Sequence, residues 1–280
     1  MTIFEAYNDT KKKLQKAGIE DYVFEAKQII KHITGLTATQ ILTEYSRKLT
    51  TYQENNLVAL VHQRQVRYPL QYIFGSWDFY GRSFYVGPGV LIPRADTETV
   101  VEKALEFLSN KKNQEILDLC TGSGCIGITI ALEKFENRVT LVEKYDEAIA
   151  YAQKNIAKNE AINTTLYKGD VLLGDLKDNK YDLIVSNPPY IPDSEIKDMS
   201  PETKYEPETA LMAEDEGLEF YKAIIENYTD SLNLGGMMLF EVGYTQSERV
   251  ANLLKHKGFN NIEITNDLNG IARAVSAIKS

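Results

Sequence analysis

Apolar residues recur at helical spacing in the first 75 or so positions of the chain. Between residues 20 and 33 they follow one another at three- and four-residue steps, as one face of a helix requires. These positions are Val23, Ala26, Ile29, Ile30 and Ile33. Residues 1–75 are therefore predicted to form a small helical domain.

A further helix is predicted from residue 51 onward. Thr51 stands three residues before Glu54, which is the spacing of a capping box at a helix N-terminus. The helical stripe that follows consists of Leu57, Leu60, Val61 and Arg64. Pro69 is expected to end this helical stretch, because proline lacks the N–H that a helix interior requires.

The pattern changes between residues 76 and 108. Aromatic and apolar residues lie on both sides of Gly81 and Arg82, which predicts a β-hairpin linker over residues 76–90. A helix is then predicted over residues 93–108, with Asp96 as its N-cap. The apolar stripe of this helix is Val100, Val101, Ala104, Leu105 and Leu108.

From Glu115 onward, strand-like and helix-like segments alternate. This alternation predicts an α/β domain on a mainly parallel sheet, spanning residues 91–280. The seven strand candidates are EILDLC, RVTLVEK, TTLYKGD, YDLIVSN, GGMMLFEV, NNIEITND and ARAVSAI. The polar passage from Pro192 to Gly217 interrupts the alternation, and long loops within compact domains are often functional.

Composition narrows the class of protein. The 280 residues carry a net charge of -9, whereas binding to nucleic acid generally requires a basic face. No signal-like segment and no run of about 18 apolar residues is present, which predicts a cytoplasmic protein away from membranes. The two cysteines and three histidines show no ligand spacing, so we expect no metal.

A glycine-rich turn follows the first strand of the α/β region. Gly122, Gly124 and Gly127 fit the pattern G-x-G-x-x-G between a strand and a helix. Glu143 ends the next strand about 20 residues later, where a carboxylate can accept hydrogen bonds from both ribose hydroxyls. The turn is therefore predicted to bind an adenosine-containing ligand.

Either NAD or S-adenosylmethionine contains adenosine, and two features favour the second. The carboxylate of Asp118 suits an ammonium and a sulfonium, whereas it would repel a pyrophosphate. The helix N-terminus offers N–H groups to a carboxylate, as it would to any anion. Asp170 and its neighbour Val171 follow the third strand and are candidates to border the adenine.

The strand candidate YDLIVSN ends in Asn187-Pro188-Pro189-Tyr190. Pro188 restricts Asn187 to extended geometry, and neither proline has an N–H. The Asn187 carboxamide oxygen and the Pro188 carbonyl can therefore act as two rigid acceptors for a planar –NH2 group. Tyr190 can place a flat wall over that group. The tetrapeptide predicts a binding site in which the delocalised nitrogen of an amide or heteroaromatic amine faces an electrophile.

Taken together, DLCTGSG, Glu143 and NPPY resemble the class I S-adenosylmethionine-dependent methyltransferases of amino groups. The segment PLQYIFGSWDFYGRSFYVGPGVLIPRADTE, residues 69–98, makes the chain similar to the HemK/PrmC family along essentially its whole length. This resemblance implies a Rossmann-like domain with a mainly parallel seven-stranded sheet, preceded by a helical substrate-docking domain and a hairpin linker.

The resemblance also implies an activity and a partner. Members methylate N5 of the glutamine in the Gly-Gly-Gln motif of class 1 peptide chain release factors, and S-adenosylmethionine becomes S-adenosylhomocysteine. The implied cofactor residues are Cys120, Thr121, Gly122, Ser123, Gly124, Glu143, Asp170, Val171 and Asn187. The implied substrate residues are Asn187, Pro188, Pro189 and Tyr190, with Asn187, Pro188 and Tyr190 as the catalytic group.

Two positions depart from the common pattern of that family. Many members have glycine at the position of Cys120 and aspartate at the position of Glu143. Glutamate still offers two oxygens, and cysteine is tolerated there if its φ angle is negative. We interpret Cys120 as a small packed residue and not as a nucleophile.

Other functions compatible with these motifs remain as alternatives. One is a glutamine methyltransferase of a ribosomal protein, and a second is an N6-adenine methyltransferase, since adenine carries the same kind of amino group. An NAD-dependent oxidoreductase and a non-enzymatic adaptor explain less, because neither gives the tetrapeptide a role. We expect a monomer that makes no direct contact with nucleic acid.

Overall fold

The computed structural model describes the backbone of residues 1–280 and every side chain except that of Asp198. The chain divides into two compact units. The first comprises Met1–Gly75 together with Ser200–Tyr205, and the second comprises Ser76–Met199 and Glu206–Ser280. The six residues from the long polar passage that join the helical unit were not anticipated by the sequence pattern.

The first unit is helical. Its helices are α1 (Ile3–Lys16), α2 (Tyr22–Thr34), α3 (Ala38–Thr43), α4 (Thr51–Gln65) and α5 (Leu70–Phe74). They enclose an apolar core to which α2 contributes Ala26, Ile29 and Ile30. Val23 is exposed, so its assignment to the buried face was wrong.

The N-cap of helix α4 lies one residue earlier than predicted. The capping box is formed by Thr50 and Gln53, each side chain bonding the backbone N–H of the other, and not by Thr51 and Glu54. The two pairs have the same spacing, and the threonine that takes the extended cap geometry is the first one. Pro69 does not end α4 directly but forms the N-cap of the short α5.

Arg64 lies in the predicted apolar stripe of α4 but is a buried ion-pair centre. Its guanidinium contacts the Glu25 carboxylate at 2.6 Å and the Glu202 carboxylate at 2.7 Å. Arg67 pairs with the same Glu202 at 2.8 Å. These charged contacts fix residues 200–205 within the helical unit, because a buried carboxylate requires a compensating cation.

The second unit contains a hairpin and a seven-stranded sheet. The hairpin pairs β1 (Ser76–Phe79) with β2 (Arg82–Tyr85) in antiparallel register. The sheet strands are β3 (Glu115–Leu119), β4 (Arg138–Glu143), β5 (Thr164–Lys168), β6 (Tyr181–Ser186), β7 (Leu232–Glu241), β8 (Asn260–Asn266) and β9 (Ala272–Ile278). Their order is β5-β4-β3-β6-β7-β9-β8, and only β9 runs against its neighbours. The predicted α/β fold with a mainly parallel seven-stranded sheet is confirmed.

Helices cover both faces of this sheet. They are α6 (Glu98–Phe107), α7 (Cys125–Glu133), α8 (Asp146–Asn159), α9 (Glu214–Gly217), α10 (Glu219–Tyr228) and α11 (Ser247–His256). Alternate residues of each central strand enter opposite layers: Leu183 and Val185 lie in one core, and Ile184 lies in the other. Across the described residues, no helix is long and apolar enough to cross a membrane.

Asp96 is not an N-cap. It lies in a 3-10 turn, Ala95–Thr97, which precedes α6, and its carboxylate pairs with Arg273 of β9 at 2.9 Å. The helix therefore starts one residue later than the cap prediction placed it, with Thr97 at the N-cap position. The Asp96 side chain, which the local sequence assigned to capping, forms a long-range ion pair instead.

We predict that Arg64→Ala lowers the free energy of unfolding by about 3 kcal/mol, because Glu25 and Glu202 lose their buried counter-charge. Urea unfolding measures the change. Arg47→Ala is the matched control: its pair with Glu44 is largely exposed, and its loss should cost less than about 1 kcal/mol. Equal changes in the two variants would contradict the role assigned to Arg64.

Candidate active site

The parallel pairing of β3 with β6 brings the glycine-rich turn beside the NPPY tetrapeptide. Leu119 is paired with Ser186, so Cys120 and Asn187 leave the sheet side by side at the carboxyl edge. Leu119 is also paired with Val142 of β4, which brings Glu143 to the same edge. Ligand sites of open α/β sheets form at this edge, outside the carboxyl ends of the strands.

The glycine-rich turn begins with a left-handed residue. Cys120 has a φ angle of 59°, so the condition of a negative φ, under which cysteine is tolerated at this position without strain, is not met. Glycine adopts this region without steric cost, whereas an L-residue there costs roughly 1–2 kcal/mol. The Cys120 side chain packs against the apolar core, and burial raises the pKa of its thiol well above the usual range. These properties favour a packed residue over a nucleophile.

The Asp118 side chain fixes the glycine-rich turn through hydrogen bonds. The fully buried carboxylate accepts a hydrogen bond from the Thr121 hydroxyl at 2.5 Å and one from the Gly127 N–H at 2.9 Å. A Cβ on Gly127 would lie 2.1 Å from a Leu141 methyl group, so this glycine is required for close packing. Asp118 does not line the cavity described below, which differs from the expectation that its charge faces a ligand.

Glu143 is tied to the turn and to the chain that follows it. Its two carboxylate oxygens accept hydrogen bonds from the N–H groups of Gly122 (2.9 Å), Lys144 (2.8 Å) and Tyr145 (3.1 Å). Asp170 forms an ion pair with Lys144 at 2.8 Å and accepts a hydrogen bond from the Leu172 N–H. Backbone contacts therefore fix the orientation of the Glu143 carboxylate.

Two acceptors of the NPPY tetrapeptide are left unengaged where it leaves β6. Within the described part of the chain, no group donates a hydrogen bond to the Asn187 carboxamide or to the Pro188 carbonyl. The Tyr190 hydroxyl lies 3.4 Å from the buried carboxylate of Glu241, at the end of β7. Burial raises the pKa of the Tyr190 phenol, which therefore stays neutral. The chain itself therefore engages neither the Asn187 carboxamide oxygen nor the Pro188 carbonyl.

A cavity of about 1020 Å³, including its open mouth, connects these groups. Of the residues predicted from sequence, those that line it are Cys120, Thr121, Gly122, Ser123, Glu143, Asp170, Val171, Asn187 and Pro189. Gly124, Pro188 and Tyr190 lie outside the lining, so the structure does not place the Tyr190 ring on the cavity wall.

Several lining residues were given no role by the sequence. They are Val90, Leu91, Pro93, Arg94 and Thr97 before α6, Tyr145, Pro207, Thr209, Ala210 and Phe220. The segment that contains Pro93 and Arg94 contributes to the family resemblance, but the sequence predicted no binding role for it. No local pattern shows that it would meet residues more than 100 positions further along the chain.

Family models match the chain at two places. The model described as the PrmC N-terminal domain matches residues 5–75, and the methyltransferase small domain matches residues 96–202. A release factor glutamine methyltransferase of Thermodesulfovibrio yellowstonii is 39% identical, over 91% of this chain and 92% of that protein. One from Bacillus cereus is 35% identical over 99% of both.

The chain belongs to the release factor glutamine methyltransferase family. Among solved structures, the hMettl16 catalytic domain in complex with the MAT2A 3'UTR hairpin 6 has a TM-score of 0.59 at 17% identity, covering 82% of this chain and 83% of that one. At this identity the likeness supports the fold alone. Membership of the family confirms the resemblance drawn from DLCTGSG, Glu143, NPPY and residues 69–98.

The buried Asp118 predicts a pH dependence of stability. Burial raises its pKa to about 7, so between pH 4 and 7 the folded state binds more protons than the unfolded state. Stability should therefore fall as pH rises, by up to about 3 kcal/mol between pH 5 and 7. Asp118→Asn should reduce this fall. Part of the fall should remain in the variant, because other buried groups contribute to it. One is Glu241, since burial raises the pKa of its carboxyl group to about 7.

Denaturant unfolding of both proteins at pH 5, 6 and 7 measures the effect. The neutral amide keeps an oxygen for the Thr121 and Gly127 donors and removes only the titration. Equal falls in the two proteins would show that Asp118 does not titrate in this range.

Proposed function

We propose that the chain transfers a methyl group from S-adenosyl-L-methionine to the side-chain amide nitrogen, N5, of the glutamine in the Gly-Gly-Gln motif of class 1 peptide chain release factors. The observation that carries this proposal is the unengaged acceptor pair of Asn187 and Pro188, directly beside the glycine-rich turn. The names of the relatives, 35–39% identical along the chain, support the same activity.

The cavity suits S-adenosylmethionine on its own chemistry. Glu143 presents a carboxylate whose orientation is fixed by three backbone N–H groups, as a ribose site needs. The N-terminus of α7 follows the turn and offers N–H groups to a carboxylate. Asp170 and Val171 line the same cavity, and we assign them to the border of the adenine. When bound, the cofactor supplies an electrophilic methyl group on a positively charged sulfur.

Asn187 and Pro188 orient the substrate amide. A glutamine –NH2 has two N–H donors in one plane, and the Asn187 carboxamide oxygen and the Pro188 carbonyl are two acceptors on a rigid backbone. Both hydrogen bonds strengthen as positive charge builds on the nitrogen, which lowers the barrier of the transfer. The amide proton becomes acidic once the nitrogen is alkylated, so no strong base is required beforehand.

Tyr190 and Pro189 complete the proposed substrate site. Pro189 lines the cavity and gives it a rigid apolar surface. Tyr190 contacts Glu241 instead of the cavity, so we assign it the task of holding the tetrapeptide in place. The Tyr190 phenol stays protonated and is not a base in this scheme.

The most direct test supplies isotopically labelled S-adenosylmethionine to the purified protein with a release factor, a ribosomal protein or DNA in separate reactions. We expect label on the release factor, at the glutamine of its Gly-Gly-Gln motif. Label on the ribosomal protein alone would indicate a glutamine methyltransferase that acts on a ribosomal protein. Label on DNA alone would overturn the proposal and favour an adenine methyltransferase.

Asn187→Ala should lower the rate of methyl transfer at least about 100-fold, since it removes one of two hydrogen bonds to the developing cation. Cofactor binding, measured by calorimetry with S-adenosylhomocysteine, should remain detectable. Asn110→Ala, at an exposed turn, is the control and should change neither value. Near wild-type turnover in Asn187→Ala would disprove the two-acceptor model.

We further propose that the helical unit docks the release factor, and that the enzyme works as a cytoplasmic monomer. Phe24 of α2 and Val58 of α4 are large apolar residues exposed to solvent, as at many protein-binding surfaces. Phe24→Ser should therefore raise KM for the release factor about 10-fold and leave the affinity for S-adenosylhomocysteine unchanged. An unchanged KM would remove Phe24 from the docking surface.

A further inference from the structure

The polar passage after NPPY returns to pair with the tetrapeptide from which it started. The N–H groups of Tyr190 and Ile191 both donate to the Leu211 carbonyl, at 3.1 and 2.8 Å. The Ala213 N–H in turn donates to the Ile191 carbonyl at 3.0 Å. Residues 206–213, here called the return limb, therefore lie directly beside the proposed substrate site.

The return limb forms part of the cavity wall. Pro207, Thr209 and Ala210 line the same cavity as Asn187 and Glu143. The only regular structure in this limb is a 3-10 turn of three residues, Glu208–Ala210. The backbone hydrogen bonds within the limb all lie around this turn, from Pro207 to Met212, so its position in the cavity wall depends on its two ends.

One end of the return limb is anchored by a buried ion pair. The Glu206 side chain is 2% exposed, and its carboxylate pairs with the guanidinium of Arg94. The other carboxylate oxygen accepts a hydrogen bond from the Ile92 N–H at 2.9 Å. Arg94 is 39% exposed, so it can be hydrated without its partner, whereas Glu206 cannot.

We propose that Arg94 is a positioning residue: it neutralises the buried Glu206 carboxylate and thereby allows the return limb to stay closed against the transfer cavity. The Glu206 carboxylate is stable in its buried site only while Arg94 neutralises it. The role of the return limb in methyl transfer rests on the proposed function. The anchoring of the limb does not, because it follows from contacts within the chain.

Because the two partners differ in exposure, their variants should differ in effect. Arg94→Met leaves a buried carboxylate without a counter-charge, so the return limb should open. Glu206→Gln leaves an oxygen for the Ile92 N–H and a hydrated arginine, so the limb should stay largely closed. The double variant should behave like Glu206→Gln, because the uncompensated charge is gone.

Hydrogen–deuterium exchange of residues 206–213 reports directly on closure. We expect exchange at least about 10-fold faster in Arg94→Met than in the wild type, with recovery in the double variant. In methyl transfer, kcat/KM should fall about 10- to 100-fold in Arg94→Met and recover in the double variant. Arg249→Met, which breaks the exposed pair with Glu216, is the control and should leave both values unchanged.

Several outcomes would overturn the proposal. Unchanged exchange in Arg94→Met would show that the pair does not hold the limb. A double variant as impaired as Arg94→Met would show that Arg94 acts on a ligand directly and not through Glu206. If Arg94→Met does not fold, Arg94→Lys replaces it, and full protection with full activity in that variant supports the charge pairing. A wild-type protein that fails to methylate a release factor would refute the proposed function, while the exchange data still decide the anchoring.

Discussion

The pairing of Leu119 with Ser186 determines where the proposed site lies in this molecule. Parallel strands end at the same edge of a sheet, so one register places the glycine-rich turn and the NPPY tetrapeptide side by side. A slip of one residue would turn every side chain of β6 to the opposite face. The apolar run Leu183, Ile184, Val185 resists such a slip, because these residues alternate between the two cores. The packing that stabilises the sheet therefore also aligns the two halves of the site.

Both halves are made rigid by groups that a ligand would not touch. Asp118 is wholly buried, yet it fixes the turn through Thr121 and Gly127. A buried carboxylate is costly, and the raised pKa of Asp118 reflects that cost. In the tetrapeptide, proline rings provide rigidity at no such electrostatic cost, since they only restrict the backbone. The two devices therefore differ: side-chain hydrogen bonds fix the turn, whereas ring geometry restricts the tetrapeptide.

Sequence patterns predicted the parts of this fold that depend on neighbours along the chain. The strands, the turn and the tetrapeptide each have a local signature, and their common edge follows from the rules of parallel sheets. Pairings between distant side chains have no such signature. Asp96 was read as a cap because its partner Arg273 lies 177 positions away, and the contact of Arg94 with Glu206 was missed for the same reason. Cys120 shows a different limit, since the sequence supplied only a condition on its φ angle and the left-handed value became known from the structure.

The backbone of the tetrapeptide forms hydrogen bonds on two sides. This explains how the long polar passage, residues 192–217, can lie next to the proposed site. On one side, the Tyr190 and Ile191 N–H groups bond to Leu211. On the other, the buried Gln246 side chain donates to the Tyr190 carbonyl at 2.8 Å and accepts from the Gly243 N–H at 3.1 Å. A Cβ on Gly217 would meet the Tyr190 carbonyl at 2.2 Å, so this approach requires glycine. With its backbone fixed at both faces, the tetrapeptide keeps its geometry while residues 200–205 pack within the helical unit. The middle of the passage can therefore vary, provided that the return limb and Gln246 still form hydrogen bonds with the backbone of Tyr190 and Ile191.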